Sequence, residues 1–280
     1  MVMGPTHATS GAVAWLAGGG AVTAVLGYSQ APGELLVYTA VCAGAALLPD
    51  LDVSGRVFRN RGGATAARVF GVVSLFVAEC VEKLSLGIYL LTRTDEDPRR
   101  RYGHRTFTHT LAFAVLLGVL VSLLVVRFGR PVVLVVLFLT VALAVRGLLA
   151  GWVARNGWLV TTLMSAAATA AAFEGLPAGG YPLLGVAVGV GCVVHLAGDL
   201  ITHHGCPVLW PLTVRGRRWY MVTTPPAISL RAGGGVERVV LLPGLTAVAL
   251  VAAVRQVPVL QEFVLQISGS LTSPRPEAGG

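Results

Sequence analysis

Apolar residues dominate the chain in long unbroken runs rather than in the stripes and alternations of a soluble fold. The runs predict seven membrane-spanning helices, at 11–27, 33–48, 110–126, 131–149, 157–173, 183–201 and 238–254. Several hold about 17 residues, the short end of what crosses the hydrocarbon core of a bilayer. The stretch 65–91 is also mostly apolar but carries Glu79, Glu82 and Lys83 at its middle. A charge at bilayer centre costs on the order of 3 kcal/mol, and the stretch is too short for two passes. It reads as an amphipathic helix lying at the interface or packed on the bundle, with a buried single pass as the alternative. Residues 268–280, SGSLTSPRPEAGG, read as a disordered tail. The expected architecture is therefore all-α and polytopic, about seven transmembrane helices plus one amphipathic or buried helix, in a single domain over 1–267.

Composition agrees with the pattern. Hydrophobic residues make up 55% of the chain and charged ones only 12%, against about 25% charged in soluble domains. No positive segment precedes the first apolar run, so no cleaved secretory signal is expected. The four cysteines, Cys42, Cys80, Cys192 and Cys206, show neither a disulfide framework nor a CxxC pair and read as small buried hydrophobes.

The net charge of +8 comes from twenty arginines and one lysine spread through the loops, a pattern of membrane topology rather than of nucleic-acid binding. If 65–91 does not cross, residues 1–10, 50–109, 150–156 and 202–237 share one face. With Arg146 and Arg238 at the adjoining helix ends, that face holds sixteen of the twenty arginines, which makes it cytoplasmic by the positive-inside rule. Arg127 and Arg130 fall on the other side and count mildly against this.

The candidate chemistry lies on that same face. His7 precedes the first span, and Asp50 and Asp52 end the second in LLPDLD. His104 and His109 stand in HRTFTHT before the span at 110, and His195 and Asp199 in HLAGDLITHHG end the sixth. Separately, the aspartates could cap a helix, the HRTFTHT histidines could be interfacial, and the His195–Asp199 pair could be a structural hydrogen bond. Together, four segments bring imidazole and carboxylate to one level, and these are the ligands of zinc, manganese and iron sites. His195 and Asp199, four apart on a helix, lie one above the other and can reach one ion. The proline of LLPDLD is expected to end or kink its helix and free both carboxylates.

These motifs also resemble a known family. LLPDLD, HRTFTHT and HLAGDLIT followed by GCPVLWPL are similar to the LexA-regulated inner-membrane proteins of the YdjM type, described as metal-dependent hydrolases. That family shows an N-terminal His, a PDxD motif, an HRxxTHS-like motif and an HxxxDxxT segment followed by Gly and a Trp-Pro pair. The likeness runs from His7 to Trp210-Pro211, with a weaker echo at Gly233–Glu237. Four motifs in this order are specific, whereas any one alone is weak. The resemblance implies a metal-dependent membrane hydrolase, with His7, Asp50, Asp52, His104, His109, His195 and Asp199 as the metal ligands. The chain departs from the pattern in carrying two extra imidazoles, His203 and His204, ranked below those seven.

Seven ligands exceed one tetrahedral site, so one or two divalent ions are expected, zinc first, with manganese or magnesium as alternatives. Asp52, Arg105 and His109 are the catalytic candidates for hydrolysis by metal-activated water. Arg105 would grip an anionic substrate, or else anchor an anionic lipid headgroup. Thr106 and Thr108 would orient the ligand imidazoles, while Trp210 and Trp219 mark the interface rather than a substrate box. The headgroup depth of the site favours a phosphoester of a lipid or lipid-linked substrate; amide or carboxylic ester hydrolysis stays open. Membrane lipids are the expected partners, with no nucleic acid. Two other classes remain: a metal-ion transporter or sensor, whose site would sit nearer the bilayer midplane, and a structural protein whose metal staples helices.

Overall fold

The structure, a computed structural model, describes residues 3–53, 72–175, 180–257, 260–263 and 266. The expected tail at 268–280 and the start of the ambiguous stretch, 65–71, lie outside the described residues. The helices that build the fold are α1 (Gly4–Val25), α2 (Pro32–Ala45), α3 (Val72–Thr92), α4 (Leu111–Phe128), α5 (Arg130–Leu148), α6 (Ala150–Glu174), α7 (Leu184–Leu200) and α8 (Leu242–Gln256). Two short 3-10 turns, Pro49–Asp52 and Phe107–His109, complete the part that matters for chemistry. Among the described residues the only β pairing is three isolated bridges in the 202–230 region.

Among the described residues, five helical stretches are long and apolar enough to cross a membrane: Gly4–Val25, Pro32–Asp52, Leu111–Phe128, Arg130–Leu148 and Glu237–Gln256. Helix α7 is apolar but has 17 residues, a length of about 26 Å. Helix α6 is broken at Gly157, whose φ of 77° is open to glycine and costly for other residues. Most boundaries fall within a few residues of the apolar runs. Two helices begin seven residues before their runs, α6 at Ala150 rather than 157 and α1 at Gly4 rather than 11. Pro5 suits a first helical turn, where no amide hydrogen is needed, and Glu237 accepts from the Met3 amide at 2.6 Å just ahead of it. His7 therefore sits inside α1, not before it.

Helix α2 is the centre of the bundle, packed against α1, α5 and α7. Its neighbours approach through glycine. A Cβ on Gly11 of α1 would stand 2.6 Å from the Cys42 carbonyl oxygen, and one on Gly191 of α7 would stand 2.5 Å from the same oxygen. Gly44 lies against α5 so closely that a Cβ would fall 1.8 Å from the Thr140 carbonyl. Such backbone approach is how helices pack where lipid removes the hydrophobic drive between them. Trp15, Tyr38, Val41, Leu137 and Leu184 fill the core beside these contacts. The outer faces of α4 and α8 expose Leu116, Leu120, Leu123, Val248 and Leu250.

Cys42, Cys192 and Cys206 are buried as expected, but Cys80 is exposed, because it faces outward on α3. That helix packs on both 3-10 turns, and its Glu79–Lys83 ion pair, 2.7 Å long, points away from the bundle. The start of α1, the end of α2, the start of α4 and the end of α7 meet at one level. A cap of loops over 201–236 closes above them, tied down by the Leu111 amide on the Val208 carbonyl and by the Thr224 amide on the Leu200 carbonyl.

Candidate metal centre

Helix α2 stops at Ala45 and Pro49 opens the tight turn that follows, which turns Asp50 and Asp52 inward; both are buried. The turn Phe107–His109 delivers His109 from the opposite side, just before Thr110 caps α4 by accepting from the Phe113 amide. One face of α7 supplies His195 and Asp199, and the second turn of α1 supplies His7, all three fully buried. His104 alone keeps contact with the outside, its side chain 26% exposed. The structure thus brings together all seven residues singled out in the sequence, as three overlapping groups whose donor atoms lie within 4.8 Å of one another: Asp50, Asp52, His104 and His109; His7, Asp50 and His195; His109, His195 and Asp199.

Four atoms form the heart of the cluster. His109 Nε2 is 3.3 Å from His195 Nε2, 3.6 Å from Asp50 Oδ1 and 3.5 Å from Asp199 Oδ2. His195 Nε2 is 3.6 Å from Asp50 Oδ1 and 3.8 Å from Asp199 Oδ2. Most of these separations are long for hydrogen bonds, yet a tetrahedron with metal–ligand bonds of about 2.1 Å has edges of about 3.4 Å. Several buried donors have no hydrogen-bond partner among the described residues: both ring nitrogens of His7, Oδ1 of Asp50 and Oδ2 of Asp199. Buried polar atoms are rarely left so. Nitrogen and oxygen donors unsatisfied by protein and spaced for a cation fit a divalent metal.

The surroundings aim these donors. His195 Nδ1 donates to the Ala46 carbonyl at 2.8 Å, which leaves Nε2 with its lone pair toward the cluster. The His7 ring stacks on His195, centroids 3.9 Å apart. Asp52 accepts from His104 Nδ1 at 2.8 Å and from the Thr108 hydroxyl at 2.5 Å. With its proton given to Asp52, Thr108 Oγ1 is free to accept from His109 Nδ1, 3.0 Å away. Burial alone would lower the pKa of His109, but the charge of Asp52 and the facing Asp50 and Asp199 outweigh it and push it up to about 10. Without a cation, His109 is an imidazolium at neutral pH.

Arg105 is also buried here. One guanidinium nitrogen stands 3.0 Å from Asp199 Oδ1 and another donates to the Gly205 carbonyl at 2.7 Å. Its backbone takes the left-handed conformation, φ 56°, uncommon outside glycine. Arg100 holds that conformation by donating to the carbonyls of His104 and Arg105. Thr106 bonds the Gly103 carbonyl rather than an imidazole, so of the two threonines expected to orient imidazoles only Thr108 touches the cluster's donors.

Other residues fall outside the cluster. His203 and His204 are exposed, His203 lying 2.5 Å from the Ser229 hydroxyl. Trp219 is 2% exposed and stacks on Trp210, centroids 5.2 Å apart, inside the loop cap. Glu237 gains a place that its sequence position did not give it. Buried, it accepts from the Met3 amide and from the Gly233 amide, each at 2.6 Å, and so fixes the start of the helix that carries His7.

A helical fold with several membrane-capable spans and a buried histidine–aspartate cluster able to hold a divalent cation defines a polytopic membrane protein with a candidate metal centre. The chain belongs to the YdjM inner membrane protein family, which matches it over residues 1–260. No curated protein and no solved structure matches it.

Proposed function

We propose that this protein is a membrane-bound metal-dependent hydrolase that cleaves an ester at the cytoplasmic face, with a phosphoester of a lipid or lipid-linked substrate favoured. The observation that carries the reading is the cage in which His109 and His195 stand 3.3–3.8 Å from each other and from the carboxylates of Asp50 and Asp199, with Asp50 Oδ1 and Asp199 Oδ2 left unpaired among the described residues. Partial exposure of His104 beside it gives the approach from outside that a purely structural staple would not need.

The donor set suits zinc first, and its carboxylates also suit manganese or magnesium. A divalent cation held there supplies Lewis acidity, which acidifies water and polarises an ester oxygen. His195 and His109 would hold it together with Asp50 and Asp199. Asp52 and His104, grouped with Asp50 and His109, extend the donors enough for a second ion, and His7 adds a donor beside Asp50 and His195. His109 couples the two halves, with Nε2 toward the cage and Nδ1 3.4 Å from Asp52 Oδ2. Arg105, committed to Asp199 and Gly205, orients a ligand rather than gripping the substrate. The reading takes seven crossings, with α6 and α7 added to the five apolar spans, and a cytoplasmic site; the support is the crowding of arginine on that side.

The test is hydrolysis of a broad panel of phospholipid and carboxylic esters by purified protein, before and after chelation. Turnover should vanish with chelator and return with zinc or manganese, while the helical bundle persists, because its backbone hydrogen bonds need no metal. A melting temperature that collapses on metal removal, with no ester turned over, would replace this reading with a structural role.

A further inference from the structure

An apolar cavity of about 310 Å³ lies beside the cluster, between the end of α2, α3, α4 and α5. Phe107 and Thr108, from the same turn that delivers His109, form part of its wall. Thr108 is also the residue whose hydroxyl donates to Asp52, so one side chain touches both the cavity and the cluster. We propose that this cavity takes one acyl chain of a bilayer lipid and so brings that lipid's headgroup ester to the cluster. The proposal rests on the hydrolase reading and names the substrate class.

The wall chemistry favours hydrocarbon. The lining includes Leu48, Leu117, Val121 and Val136 and carries no charged side chain. Its hydroxyls are few. Thr108 is spent on Asp52 and Thr140 on the Val136 carbonyl, which leaves only Ser85 without a partner among the described residues. Water and a headgroup would find almost nothing to bond there, whereas an apolar chain loses nothing by entering. The rim explains which apolar molecule arrives. Leu84 and Leu139 line the cavity yet are 62% and 42% exposed, and Leu139 lies on a membrane-spanning helix. The phase at the mouth is therefore lipid. An acyl chain can slide in from the bilayer without crossing water, while its headgroup stays at the level of the helix ends where the cluster lies.

The experiment uses the full chain in phosphatidylglycerol vesicles doped with a phosphatidylcholine that carries a photoreactive diazirine midway along one acyl chain. Labelled residues are mapped by mass spectrometry for the wild type, Val136→Phe and Leu84→Phe. Two variants on different helices keep a folding defect in one from deciding the result, and retained metal content reports the integrity of each. Labelling of the buried walls, Val121, Thr140 or Val188, that falls at least fivefold in both variants supports the proposal. Labelling confined to outward residues such as Leu120 and Leu123 overturns it. Turnover of phosphatidic acids from dibutanoyl to dihexanoyl, dissolved in water as monomers, gives the second readout. Their chains leave water on binding, so each methylene that enters should raise kcat/KM by about fourfold, and the filled variants should flatten that climb while keeping dibutanoyl turnover. Wall labelling without any such climb in an active enzyme overturns the substrate role. Wall labelling with no ester turned over would strike the hydrolase reading and leave the acyl chain in its cavity.

Discussion

His109 faces three carboxylates and carries a proton up to a pH of about 10 in the metal-free protein. A cation entering the cage takes the place of that proton. Metal binding at neutral pH should therefore release about one proton per cage, and apparent affinity should rise roughly tenfold per pH unit below the His109 pKa. Calorimetry in two buffers of different ionisation enthalpy reads this directly, and a binding heat that is the same in both would contradict it. The seven donors were legible in the sequence because histidine and aspartate are scarce in apolar runs and these stand at the ends of runs. The residues that aim them were not. Nothing local marks Arg105 as the partner of Asp199, 94 positions on, or Glu237 as the anchor of Met3 across 234 positions. Both pairings follow from how the helices pack, and the left-handed backbone of Arg105 has no signal in its residue type.

Helices rather than loops fix where the donors meet. Helix α2 can carry the Pro49–Asp52 turn into the centre only because Gly11, Gly44 and Gly191 let three neighbours touch backbone. Gly44→Val should be the most damaging of simple substitutions there, since its Cβ would fall 1.8 Å from the Thr140 carbonyl. We expect a loss of about 3 kcal/mol or more, read as a lowered melting temperature in detergent with loss of bound metal. A variant as stable as the wild type would mean that α2 and α5 are not packed this way. Apolar runs predicted the ends of most of these helices to within a few residues, since apolar length is what a membrane selects. They missed the start of α1, where the polar Thr6, His7 and Thr9 interrupt the apolar pattern although helix continues through them. They also left open the course of 65–91. Its described part is the helix α3, packed on the two turns that carry Asp50, Asp52 and His109.

For the whole molecule, sidedness follows from charge. By the sequence, most of the arginine falls in the loops assigned to the side proposed for the cluster, so reporter fusions after residues 60, 100, 153 and 225 should all report cytoplasm. Fusions near 30 and 178 should report the opposite side. Opposite reports from 60 and 100 would mean that the intervening stretch crosses the membrane, and the cytoplasmic assignment of the site would fall. The central claim is that the histidines and aspartates at these helix ends form one metal centre. Elemental analysis of the purified protein tests it most directly, with His195→Ala, Asp199→Ala and His204→Ala measured beside the wild type. The account predicts one or two divalent ions per wild-type chain, loss of most of that metal in the first two variants, and near wild-type content in His204→Ala, whose imidazole lies exposed outside the cluster. A wild type that takes up no ion from zinc- or manganese-supplemented buffer, or equal losses in all three variants, would contradict it.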